Sequence, residues 1–152
     1  KIWNDLADRL TDPAPVGQGT NYDQLSRGTL AEFAKAVPEF DYSLKKMQAR
    51  LRSNHAVDYV YYEFISNQLN KDIYILDAKH KDVYPIEGES DLLYKNRASI
   101  VLLYHPGHYE LVGLHSGAVG PGVRQGIETI FQPAHPLIQA IRARLRELSD
   151  KK

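Results

Sequence analysis

The stretch from Ala98 to Gly113 constrains this chain more than any other part of it. It reads as an apolar run, Ser99-Ile-Val-Leu-Leu-Tyr104, then a tight Pro106-Gly107 turn, then a second run opening with His108, Tyr109 and Glu110. β-Rich runs bounded by a Pro-Gly turn predict strands at 98–104 and 108–114. Residues two apart on a strand share a face, so His108 and Glu110 are expected on one side. A carboxylate so placed can orient an imidazole and stabilise its cation, as the third member of a catalytic triad does. What such a histidine lacks here is a nucleophilic thiol, because none of the 152 residues is cysteine.

That absence excludes disulfides, zinc ribbons and iron-sulfur clusters. Nineteen basic residues balance nineteen acidic ones, so no global field draws the chain to nucleic acid or to anionic lipid. No apolar run approaches a membrane span, and no secretory leader is read at the start. The expected location is the cytosol, or a host cytosol for a viral or bacterial effector. The chain opens inside a predicted helix, which suggests a piece whose N-terminus lies further upstream. Its length suits one domain with a real core.

Periodicity supplies the rest. Apolar residues at 2, 3, 6, 7 and 10 predict a first helix, followed by a breaker-rich loop from Thr11 to Gly19. A short helix is expected from Thr29 to Val37, stopped by Pro38, and another from an Asp41 N-cap to Arg52 with Tyr42, Leu44, Met47 and Leu51 inward. A longer helix is expected from Val57 to Leu69. The period then changes: Asp72 to Asp77 and Val83 to Ile86 read as strands about a polar turn at Lys79 to Asp82. Glu87 to Asn96 is an acidic connection. After the 98–114 strands, Gly113, Gly117, Gly120 and Gly122 read as a flexible loop, and His135 to Leu148 as an amphipathic helix. The expected class is α+β, of α/β/α sandwich type. Four to five mostly antiparallel strands are flanked by helices in a single domain over 1–152.

Each candidate residue has a plainer reading. His108 could merely cap a turn or satisfy a neighbouring carbonyl. His105, His108 and His115 could suggest a metal site, but the His-x-x-His spacing spans a turn rather than a helix, and no ligand cluster completes it. No metal and no cofactor are therefore expected. The glycines at 113–122 lack the Gly-Lys-Ser/Thr of a phosphate loop. Arg142, Arg144 and Arg146 read first as a solvated helix face.

Three segments together carry a resemblance: Trp3-Asn-Asp-Leu-Ala-Asp-Arg-Leu10, Val57 to Asp77, and Val101 to Val112. In order and spacing they resemble the OTU (ovarian tumour) family of cysteine deubiquitinases. In that family a Cys-bearing loop leads into a helix of the pattern aromatic, two variable residues, Leu, Ala or Gly, Asp, x, Leu. Later come a helix feeding a strand, and a strand followed by His-Tyr or His-Phe with an acid two residues past the histidine. Here these are Trp3, Leu6, Ala7, Asp8 and Leu10, then Ile73 to Leu76, then His108, Tyr109 and Glu110. The likeness covers 1–114. Residues 115–152, the glycine-rich loop and C-terminal helix, would be an extension.

The resemblance implies a papain-type thiol protease fold. It also implies hydrolysis of isopeptide bonds at the C-terminus of ubiquitin or polyubiquitin, by a monomer. His108 would be the acid-base and Glu110 its orienting acid, where most relatives have Asp or Asn. Tyr109, Ile2 and the segment His55, Ala56, Val57, Asp58 would flank the channel for the ubiquitin tail, with Asp58 or the acids of 87–91 facing its arginines. The nucleophile's place, immediately before Ile2, is taken by Lys1. Three accounts fit: a substitution, a modified cysteine lost between Lys1 and Ile2, or a naturally inactive relative. A helix N-terminus and an imidazole would favour a thiolate there, whereas lysine would form a stable amide. The rival expectations are a ubiquitin-binding pseudoenzyme and a plain protein-interaction domain using the tyrosine-rich helix 57–69.

Overall fold

The computed structural model describes residues 2–10, 29–53, 61–85, 93–115, 123–124 and 126–150. The protein is α+β, as the change of period predicts. The chain forms two compact units, Lys1–Gln68 with Glu87–Leu93, and Leu69–Ile86 with Tyr94–Lys152.

The first unit is helical among its described residues: α1 (Ile2–Arg9), α2 (Thr29–Ala36), α3 (Leu44–Arg52) and α4 (Tyr62–Leu69). Leu6, Ala7 and Leu10 recur on one face of α1 and are buried with Leu30, Met47, Leu51, Tyr61 and Phe64. The end of α1 leaves carbonyls without helical partners. Gln48 of α3 answers them, its Nε2 donating to Leu10 O at 2.7 Å and to Ala7 O at 3.4 Å. Asp8 and Arg52 pair across the same two helices. Phe33 meets Phe40 and Tyr42 edge to face beside this core, and Phe40 and Tyr42 are tilted against each other.

One expected helix cap shifts. The N-cap of α3 is Ser43, not Asp41: Ser43 holds an extended backbone and its Oγ accepts from Lys46 N. Asp41 instead accepts from Ser43 N at 3.0 Å, and that backbone hydrogen bond first of all holds its carboxyl below its ordinary range. Tyr42 thus precedes the helix and packs with the phenylalanines. The described part of the 57–69 helix is α4. It ends at Asn70, whose φ of 52° is the left-handed conformation that stops helices.

The second unit holds β1 (Asp72–Asp77), β2 (Asp82–Val83), β3 (Ser99–His105) and β4 (His108–Leu111) in the order β2-β1-β3-β4. The two outer pairings are antiparallel, and the central one, β1 with β3, is parallel with Asp72 opposite Ser99. β1 is buried along nearly its whole length, which is why it reads as an apolar run rather than an alternating one. β2 starts a residue earlier than expected and is shorter. Tyr84 N still donates to Ile75 O, but Pro85 has no N–H to continue the ladder.

At the start of the sheet the Asp72 carboxylate is buried and accepts from Arg97 Nε at 2.8 Å and from the backbone N–H groups of Lys95 and Arg97. From α5 (Pro136–Asp150), Ile138 and Ile141 pack with Tyr74, Val83, Val101 and Phe131. His135 caps this helix, its Nδ1 accepting from Leu137 N at 3.1 Å, with Pro136 in the first turn where a missing N–H is harmless. Arg144 is not a solvated charge: it grips the Asp82 carboxylate through Nε and Nη2, and that contact raises its pKa.

One element went unforeseen. β5 (Leu114–His115), β6 (Val123–Arg124) and β7 (Ile127–Glu128) form a second small sheet in the order β5-β7-β6. Gly113, expected in a loop, sits where a Cβ would lie 2.5 Å from Ile127 Cγ2, so the chain passes β7 too closely for a side chain. The residues after 114, expected as an extension, supply Phe131, Ile138 and Ile141 to the core of this unit.

Candidate functional site

The Pro106-Gly107 turn sets the site. Proline fixes φ near −65° and cannot take the left-handed first position of the usual two-residue hairpin turns. Gly107 therefore supplies the positive φ, 77°, at the second position, the pattern of a type II turn. A Cβ at Gly107 would meet nothing within 4 Å, so glycine is required there by conformation and not by space.

The turn pairs His105 directly with His108, and Leu103 with Glu110. The pleat then brings both imidazoles and the carboxylate to one face. Glu110 Oε1 lies 3.5 Å from His108 Nε2, and Glu110 Oε2 lies 3.4 Å from His105 Nε2. The two rings are 6.2 Å apart. These are ion-pair distances, longer than the usual N–H···O hydrogen bond, and the groups are open to water, His108 at 63% and Glu110 at 55% exposure. Salt and solvent screen such contacts, so the cluster adds little to stability. With Nε2 turned toward a carboxylate, Nδ1 is the nitrogen through which His108 can exchange a proton with a reacting group.

Of the residues singled out from sequence, the structure brings together His105, His108 and Glu110. Tyr109 lies on the opposite face of β4, its ring 5.2 Å from Tyr104, which in turn meets Tyr84 edge to face. Ile2 is the first residue of α1. Lys1 and the segment His55, Ala56, Val57 and Asp58 lie outside the described residues, as do the acids of 87–91. His115 stands apart in β5. Among the described residues no group of three or more His, Cys, Asp or Glu side chains is arranged to hold a metal ion. The His105–Glu110 contact is not read from the sequence, where the His105-x-x-His108 spacing stands only as a ligand pattern. The signal was present, since a two-residue turn makes its flanking residues cross-strand neighbours.

Two other histidines also meet carboxylates. His80 Nδ1 lies 2.6 Å from Asp77 Oδ2, and that hydrogen bond is the main cause holding the Asp77 carboxyl below its ordinary range. Asp77 Oδ1 also accepts from Lys79 N and His80 N, which makes this contact the closure of the β1–β2 turn. His135 Nε2 lies 3.5 Å from Glu128 while Nδ1 caps α5. Both are committed to local structure.

The chain matches no protein-family model and no curated protein sequence. Among the described residues no helix is long and apolar enough to cross a membrane.

Proposed function

We propose that this chain is an OTU-like thiol isopeptidase domain directed at the C-terminus of ubiquitin, with His108 as its acid-base and Glu110 as its orienting carboxylate. The observation that carries the reading is the His108 Nε2 to Glu110 Oε1 contact of 3.5 Å, on the strand that follows the Pro-Gly turn. It is supported by the order of the segments around Leu6, Ile73 and His108.

In the proposed reaction a cysteine preceding Ile2 gives its proton to His108 Nδ1. The thiolate attacks the isopeptide carbonyl, and the imidazolium protonates the leaving lysine amine as the C–N bond breaks. Water then opens the thioester, returning its proton through the same ring. Glu110 keeps the proton on Nε2 and balances the ring's charge while it is cationic. Lys1 cannot fill the nucleophile's place, because acyl transfer to an amine stops at an amide.

A chain without cysteine favours a second reading, a pseudoenzyme that binds ubiquitin without turnover. The two separate in one experiment. A cysteine placed before Ile2, by insertion or as Lys1→Cys, is expected to give cleavage of di-ubiquitin that His108→Ala abolishes. Cleavage that survives His108→Ala rejects the role of His108. No cleavage, together with ubiquitin-induced NMR shifts of the chain as written saturating at micromolar concentrations, selects the binding reading.

A further inference from the structure

We propose that His105 is a positioning residue for the His108–Glu110 pair, holding the carboxylate that His108 uses. This rests on the reading of function just given and goes beyond it, because the resemblance assigns nothing to position 105.

The argument begins with the length of Glu110. A glutamate has one more rotatable bond than the aspartate or asparagine expected at an orienting position, and at 55% exposure packing does not fix it. An unsupported glutamate would spend most of its time turned to water, away from the imidazole. The hairpin register supplies the support. His105 and His108 are direct cross-strand partners, and Glu110, two residues on, shares their face. Its carboxylate sits between two rings whose centroids are 6.2 Å apart. One oxygen faces each ring, Oε2 toward His105 Nε2 at 3.4 Å and Oε1 toward His108 Nε2 at 3.5 Å. A contact on Oε2 restricts the same torsions that aim Oε1, so a donor at 105 orients the group that orients His108. Aspartate is a methylene shorter and reaches less readily across both rings. The glutamate and the second histidine therefore belong together. No bond is made or broken at His105, and it exchanges no proton with the reacting atoms.

The test uses two variants that fold alike and differ in one donor. His105→Gln keeps an N–H at the same distance from the backbone, and His105→Phe keeps the ring without it. In the isotope-labelled chain as it stands, nuclear Overhauser contacts between the Glu110 γ-protons and the His108 ring are expected. They persist in His105→Gln and vanish in His105→Phe. In the chain carrying a cysteine before Ile2, His105→Phe is expected to lower kcat on di-ubiquitin on the order of tenfold with KM unchanged. His105→Gln recovers most of that loss. Overhauser contacts that persist in His105→Phe overturn the proposal, whatever the protein does to ubiquitin. So does a kcat that is unmoved while the contacts vanish. If the cysteine-bearing chain cleaves nothing, the reading of function fails instead, and the Overhauser pattern alone upholds or overturns the shared carboxylate.

Discussion

At one end of β3 the Asp72 carboxylate, opposite Ser99, is buried to 1% exposure and takes hydrogen bonds from a guanidinium and two backbone N–H groups. At the other end, beyond His105, the Glu110 carboxylate stands half in water, with two imidazoles at ion-pair distance. Both are acids beside the same strand, yet they do opposite things. Burial makes each partner of Asp72 indispensable, because an unpaired polar group there has no water to turn to. Exposure makes the partners of Glu110 dispensable for folding, because water can take their place. One end holds the sheet together, and the other contributes little to holding it.

The contrast can be broken by experiment. The largest effect is expected at the buried end: Arg97→Ala strands a buried carboxylate and should destabilise the protein by about 3–5 kcal/mol in urea denaturation. A loss below about 1 kcal/mol would show that the Lys95 and Arg97 N–H groups suffice without the guanidinium.

The same buried end should be sensitive to alkali. Burial, followed by the nearby Asp72 charge, pushes the Tyr74 hydroxyl up to about 12 from an ordinary value of 10.0. The stacked Tyr94 is raised as well, again mainly by burial. A hydroxyl raised on folding keeps its proton where the unfolded chain has lost it, so its contribution is intact below pH 10 and falls away between about 10 and 12. Tyr74 alone should account for about 2–3 kcal/mol over that window. Stability followed by urea titration across it should fall steeply in the parent and less so in Tyr74→Phe.

At the exposed end the turn, not the charges, should matter for folding. Gly107→Ala forces a side chain into a left-handed backbone with open space around it, and is expected to lower stability by about 1–2 kcal/mol in thermal denaturation. A neutral result would mean that the turn relaxes and that the His105–His108 register is not fixed by glycine.

The smallest expected effect is Glu110→Gln, within about 0.5 kcal/mol of the parent in stability. In the cysteine-bearing chain the same change should depress kcat while leaving the melting temperature alone. A clear fall in melting temperature would remove the distinction between the two ends.

How much of this was legible follows the range of each interaction. The α1 stripe is complete within nine residues, so Leu6, Ala7 and Leu10 could be read as core directly. The Pro106-Gly107 turn and the shared face of His108 and Glu110 are equally local. The cap of α3 fell two residues from its expected place because Asp41 and Ser43 both suit that role, and only the backbone angles choose between them. The sheet β5-β7-β6 was invisible for a different reason: two-residue strands carry no period to detect.

By itself the amino-acid order determined the longer helices and strands, where the Pro-Gly turn falls, and that none of the 152 residues is a cysteine. Only tertiary structure decided that β1 and β3 run parallel, that Arg97 reaches back to Asp72, that Arg144 grips Asp82, and that His105 shares Glu110 with His108. The reason is physical. Propensity and periodicity act between residues a few positions apart. Desolvated carboxylates and cross-strand neighbours take whichever partner the folded chain delivers, and that delivery is settled by burial of the whole core.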